Sequence, residues 1–136
     1  MIPVTRATVL SYVFPQKFIN VNAVRGVSIE KFSDAYTWVQ DDWNGLKDVI
    51  TPVNETLEIE EGDCDDYAAV AASWAIENNR EPVSFAYYFD GYRPRHVVAV
   101  DNNRVYSSGS VVETSIEDHI TESEYDWYIA RTIEGS

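Results

Sequence analysis

Around Arg80-Glu81-Pro82 the hydrophobic period of this chain changes from 3.6 residues to 2, and that change restricts the fold more than any other sequence feature. Upstream, Ser28 is a fitting N-cap, and Ile29, Phe32, Tyr36, Val39 and Trp43 recur at spacings of 3, 4, 3 and 4. This predicts a helix closed by Asn44-Gly45. A second helix is expected from about Cys64 to Asn78, with Asp63 as cap and the strong helix formers Ala68, Ala69, Ala71, Ala72 and Ala75 inside it. Asp66, at the third helical position, completes a capping box with Asp63. Downstream, Val83 to Phe89, His96 to Asp101 and Arg104 to Ser107 read as strands, separated by Asp90-Gly91 and Asn102-Asn103. A last strand is expected at Trp127 to Ile133, and a first one at Ala7 to Phe14, ended by Pro15. Leu46 to Glu61 reads as a loop with room for one helical turn. Helices before most of the strands, the strands joined by hairpins, describe an α+β domain with helices packed on an antiparallel sheet.

At 136 residues the chain has the size of one domain, taken as 1–136. It carries 10 Lys and Arg against 23 Asp and Glu, a formal charge of −13. A field of that sign repels phosphate backbones and argues against nucleic-acid binding. No segment approaches the ~20 apolar residues of a membrane span. The N-terminus lacks the basic and apolar stretches of a signal peptide, so a cytoplasmic or virion-associated protein is expected. No cofactor or metal is expected either: Asp63-Cys64-Asp65-Asp66-Tyr67-Ala68 lacks the sixth-position glycine of a calcium loop. The nearby acidic residues read as a solvated rim.

The single cysteine, Cys64, has no disulfide partner in its own chain, so it serves packing or chemistry. In the first turn of a helix, free backbone N–H groups favour a thiolate. Asp63, Asp65 and Asp66 oppose one, and a nucleophile here needs an imidazole beside it. Of the two histidines, His96 opens the apolar strand Val97-Val98-Ala99-Val100, whereas His119 lies in a polar segment expected to be exposed. Among the tryptophans, Trp38 falls off its helical stripe and is the one suited to lining a cleft or a partner surface. Tyr87 to Tyr92 makes an aromatic hairpin tip, suited to binding.

Thr51-Pro52-Val53-Asn54-Glu55-Thr56-Leu57, then Gly62-Asp63-Cys64-Asp65-Asp66-Tyr67-Ala68, then His96-Val97-Val98, resembles the transglutaminase-like cysteine proteinases of bacteria and phages. The resemblance covers 28–109, with 1–27 as an N-terminal strand and arm and 110–136 as a C-terminal strand. It implies a papain-like or transglutaminase-like core in which Cys64 is the nucleophile and His96 the base. The implied activity is that of a thiol peptidase or amidase, with a peptide or amide as substrate. Such proteins carry an Asp on the strand after the His strand, but Arg104-Val105-Tyr106-Ser107-Ser108-Gly109 has none. A two-residue loop at Asn102-Asn103 puts Ser107 on the His96 face, diagonally across; a three-residue loop puts Ser108 opposite His96. Either hydroxyl fixes the imidazole tautomer without supplying charge. Asp101, at an odd offset from His96, points to the other face. Gln40 and Asn54 are candidate oxyanion donors beside the Cys64 backbone N–H. The alternative is a catalytically degenerate relative, a virion structural or attachment protein with virion proteins as partners.

Overall fold

A computed structural model describes residues 12–39 and 51–133. A 3₁₀ turn at Pro15–Phe18 leads to helix α1 (Ile29–Ala35) and strand β1 (Thr37–Trp38). Helix α2 (Val53–Ile59), strand β2 (Glu61–Gly62) and helix α3 (Cys64–Glu77) follow. Then come β3 (Ser84–Asp90), β4 (Arg93–Val100), β5 (Arg104–Ser107), β6 (Ser110–Glu113), helix α4 (Ile116–Thr121) and β7 (Trp127–Thr132). Strands β3 to β7 form one antiparallel sheet in the order β6-β5-β4-β3-β7, and β1 pairs with β2 in parallel. The molecule is therefore α+β, as the change of period predicts.

Helix α3 packs on β4 and β5, and its alanines make that approach close: Ala68, Ala69, Ala71, Ala72 and Ala75 are fully buried. Tyr67 is also fully buried and forms a three-ring cluster with Phe32 and Tyr36, at 5.9 and 5.0 Å. Phe85, Tyr87, Val97, Ala99 and Tyr106 meet this layer from the sheet. The opposite face carries Ala86, Tyr88, Val98, Val100 and Val105 under Ile116 and Ile120 of α4. Both faces of β4 are covered, which is why it reads as the unbroken apolar run Val97 to Val100 rather than as an alternation.

Several sequence expectations change. Helix α1 is correctly capped, with Ser28 Oγ accepting from Lys31 N, but it stops at Ala35. Beyond it Thr37 N donates to Glu60 O and Val39 N to Gly62 O, both at 2.9 Å, so pairing with β2 takes the backbone groups the helix would need. Trp43 and Asn44-Gly45 lie outside the described residues. Tyr12 and Val13 are helical, not the end of a strand, and the rest of Ala7 to Phe14 up to residue 11 is not described. The stretch read as a loop contains the two turns of α2. The region 110–136, read as a single strand, contributes β6, α4 and β7.

Candidate active site

Cys64 owes its place to the cap of α3. Asp63 Oδ1 accepts from Asp66 N and Asp66 Oδ2 accepts from Asp63 N, both at 3.2 Å, which closes the expected capping box. Thr51 N donates to Asp66 Oδ1 at 2.7 Å and ties the preceding segment to the same carboxylate. Gly62 is required here: a Cβ at this position would lie 2.6 Å from Asp66 Oδ2 and 2.7 Å from Tyr36 Oη. Burial, then the Asp63 charge, pushes the Asp66 carboxyl up to about 7. The thiol of Cys64 is partly buried and held well above its usual range, first by desolvation and then by Asp65 and Asp63. Backbone hydrogen bonding at Val97 and at Cys64 itself favours the thiolate without reversing that. The resting sulfur is thus a neutral thiol, set against strand β4 beside Val97.

His96 pairs with Tyr88 across β3 and β4, immediately before a bulge in which Arg95 is the extra residue between the pairs Tyr88↔His96 and Phe89↔Pro94. The ring shares the face of Val98 and Val100, the α4 side of the sheet, whereas α3 lies on the other side. It contacts Tyr88 edge-on at 6.0 Å and lies parallel to Tyr125 at 5.8 Å, with 10° between planes. His96 Nε2 lies 2.7 Å from Ser107 Oγ. Burial, reinforced by the charge of His119, lowers the imidazole from its usual value to about 4, so it rests neutral.

The β4–β5 register decides between the two serines. Ala99 opposes Tyr106, Val100 opposes Val105, and Asp101 N donates to Arg104 O at 3.0 Å, leaving Asn102-Asn103 as a two-residue loop. Ser107 is therefore the residue on the imidazole. Ser108 falls in the β5–β6 turn with φ +40°, a conformation that costs a side-chain-bearing residue. Its hydroxyl is buried without a hydrogen-bond partner among the described residues. Asp101 is removed from the site, as its offset predicts: its carboxylate accepts from Arg80 Nε at 2.5 Å, from Tyr106 Oη and from the backbone of Asn103 and Arg104.

Cys64, His96 and Ser108 line one cavity of about 540 Å³. The indole of Trp38, which is half exposed, and the ring of Tyr125 wall it, and Asp90, Arg95 and Glu124 supply its charges. Trp38 lines the cavity, but from strand β1 rather than from the off-stripe face of a helix, since α1 ends at Ala35. Asn54 does not: it is exposed on α2 and away from the cavity lining, because the helix starting at Val53 turns it outward. Gln40 lies outside the described residues. His119 is less exposed than expected, because Tyr88 Oη reaches its Nδ1 at 2.8 Å. Among the described residues no hydrogen bond joins Cys64 to His96; thiol and ring approach β4 from opposite faces and share the cavity.

Sequence reasoning missed Tyr125, Arg95 and Glu124. Arg95 was findable only through the bulge, and Glu124-Tyr125 only through the turn after α4. Among the described residues no group of three or more His, Cys, Asp or Glu side chains could hold a metal ion, and no helix is long and apolar enough to cross a membrane.

Together these features define an α+β domain with one thiol and one imidazole on a common cavity. No family model matches the chain, and neither a curated protein nor a solved structure matches it.

Proposed function

We propose that this chain is a transglutaminase-like thiol peptidase or amidase that works through a Cys64 acyl-enzyme. The observation carrying this reading is that Cys64 lines the same cavity as His96, whose Nε2 lies 2.7 Å from Ser107 Oγ. In the tautomer that donates Nε2–H to Ser107, Nδ1 is a free base. Nδ1 takes the proton from Sγ by way of a water in the cavity they share, as sulfur forms its bond to the substrate carbonyl carbon. The imidazolium returns that proton to the departing amine as the C–N bond breaks. A water, deprotonated by the same nitrogen, then attacks the thioester and releases the acid and the free thiol. The oxyanion is met by the Cys64 backbone N–H at the start of α3, with the unpartnered Ser108 hydroxyl as side-chain candidate. A direct Cys64–His96 bond is ruled out by the opposite faces from which thiol and ring meet β4, so on this reading the shared cavity carries the proton between them.

The acylation step starts from neutral thiol and neutral imidazole, because each charged form is disfavoured in place. The missing carboxylate has a cost: in a serine-protease triad, Asp to Asn lowers turnover by about 10⁴. A thiol, being more acidic than a hydroxyl, needs less help. The second reading, a catalytically degenerate virion structural or attachment protein, is favoured by that same serine in place of a carboxylate. Mixing the protein with p-nitrophenyl acetate separates the two. The enzyme reading expects a burst of p-nitrophenolate and an acetyl group on Cys64 by mass spectrometry, slowed at least tenfold in His96→Gln. Equal acylation of wild type and His96→Gln would remove the enzyme reading and leave the degenerate one.

A further inference from the structure

When His96 accepts the Cys64 proton it becomes a cation in a site where no carboxylate pairs with it among the described residues. Its surroundings are known element by element. From β5 comes the Ser107 hydroxyl, from β3 the Tyr88 ring, and from α4 His119, whose charge opposes that of His96. Arg95 on β4, Cys64 on α3, and Asp90 and Glu124 share the cavity. From the turn after α4 comes Tyr125, its ring parallel to the imidazole with centroids 5.8 Å apart, inside the roughly 6 Å within which a cation is attracted to an aromatic face.

Tyr125 is fixed in that position. Its backbone N–H donates to Ser123 Oγ at 3.1 Å, and Ser123 Oγ donates to Ile120 O at 2.7 Å, which ties the segment to the end of α4. On its other side Asp126 N donates to Phe89 O at 2.8 Å, and Asp126 Oδ2 accepts from Gly91 N at 2.9 Å, which ties it to the β3–β4 hairpin. Tyr88 packs against Tyr125 at 5.9 Å and closes the aromatic cluster around the imidazole.

We infer that Tyr125 is a positioning residue whose π face stabilises the His96 imidazolium, in the role a carboxylate on β5 would otherwise fill. The inference rests on the acyl-transfer reading for its purpose, but the contact itself is measurable without catalysis. The readout is the His96 titration by NMR in the full chain carrying Ser107→Asp. The added carboxylate brings the His96 titration up towards neutrality, away from the acid range.

Two roles for Tyr125 give opposite signs. If the ring only buries His96, Tyr125→Leu admits water and raises the His96 pKa. If it stabilises the cation, Tyr125→Leu lowers the pKa by about half a pH unit, roughly threefold in the dissociation constant. Tyr125→Phe keeps the face and is expected to titrate as its parent. A raised or unchanged value in Tyr125→Leu overturns the inference, as does a Tyr125→Phe shift as large as that of Tyr125→Leu. Should Tyr125→Leu not fold, Tyr125→Trp in the same background is expected to raise the pKa, and an unchanged or lowered value overturns the proposal. Acylation of Cys64 is scored separately on the otherwise unaltered protein. Its absence alongside the expected titration shifts would remove the acyl-transfer reading and leave the Tyr125–His96 contact standing.

Discussion

The two ends of the β4–β5 hairpin hold the two kinds of polar group a folded chain carries. At the loop end, Asp101 is enclosed by Arg80, Tyr106 and two backbone N–H groups, and those partners hold its carboxyl below the usual range despite burial. At the open end, His96 has one hydroxyl and two aromatic rings, and burial drives its charged form away. A fully satisfied charge stabilises the fold. A buried base with one ring nitrogen unengaged, beside a cavity and an unpartnered hydroxyl, adds little stability and is left available for chemistry.

That contrast is broken most directly by mutation at the loop end. Asp101→Ala leaves Arg80 Nε and Tyr106 Oη without their acceptor, although Arg80 keeps Asn103 Oδ1, and urea denaturation is expected to show a loss of about 2–3 kcal/mol. Gly62→Ala forces its Cβ against the Asp66 carboxylate and Tyr36 Oη, and a loss of about 1–3 kcal/mol is expected by the same measurement. Ser107→Ala, at the open end, is expected to cost about 1 kcal/mol or less. If Ser107→Ala destabilised as much as Asp101→Ala, the two ends would not differ in kind.

The ends also separate by pH. The folded pKa of His96 is depressed from 6.5 to about 4, so the folded state binds fewer protons than the unfolded chain in that window. Its contribution to stability is complete above about pH 6.5 and is lost as pH falls towards 4. Asp101 is also depressed, but from a carboxylate reference, so its contribution persists to lower pH and is lost only below the ordinary Asp range of about 3.9. Denaturation midpoints of His96→Gln are therefore expected to be flatter than wild type between pH 6.5 and 4. Ser107→Asp supplies the charge the open end lacks and is expected to raise the His96 pKa by about one unit or more, read by NMR.

What was legible in the sequence follows from how local its cause is. The capping box and α3 are written in consecutive residues; the turn near Asn102-Asn103 is too, but its length was open in the sequence and the β4–β5 register selects Ser107. Helix α1 is half as long as its periodicity implies because a distant strand, β2, claims the chain after Tyr36. Helix α2 begins at a Pro52 cap with no side-chain acceptor, so it carries only a breaker signal. Helix α4 had a signal, a Ser115 cap accepting from Asp118 N with Ile116 and Ile120 one turn apart, but six residues are too few for periodicity to stand out. The apolar run Val97 to Val100 already required a covering layer on both faces. Following that requirement into residues 110–136 would have led to α4 and to Tyr125.

The central claim is that neutral His96 serves as the base for Cys64, and the pH dependence of single-turnover acylation by p-nitrophenyl acetate tests it most directly. With a base that titrates near 4 and a thiol held well above its usual range, the wild-type rate is expected to be level between about pH 5 and 8. His96→Gln is expected to climb about tenfold per pH unit over the same interval, as a bare thiol does. A wild type that climbs in parallel with His96→Gln would contradict the account.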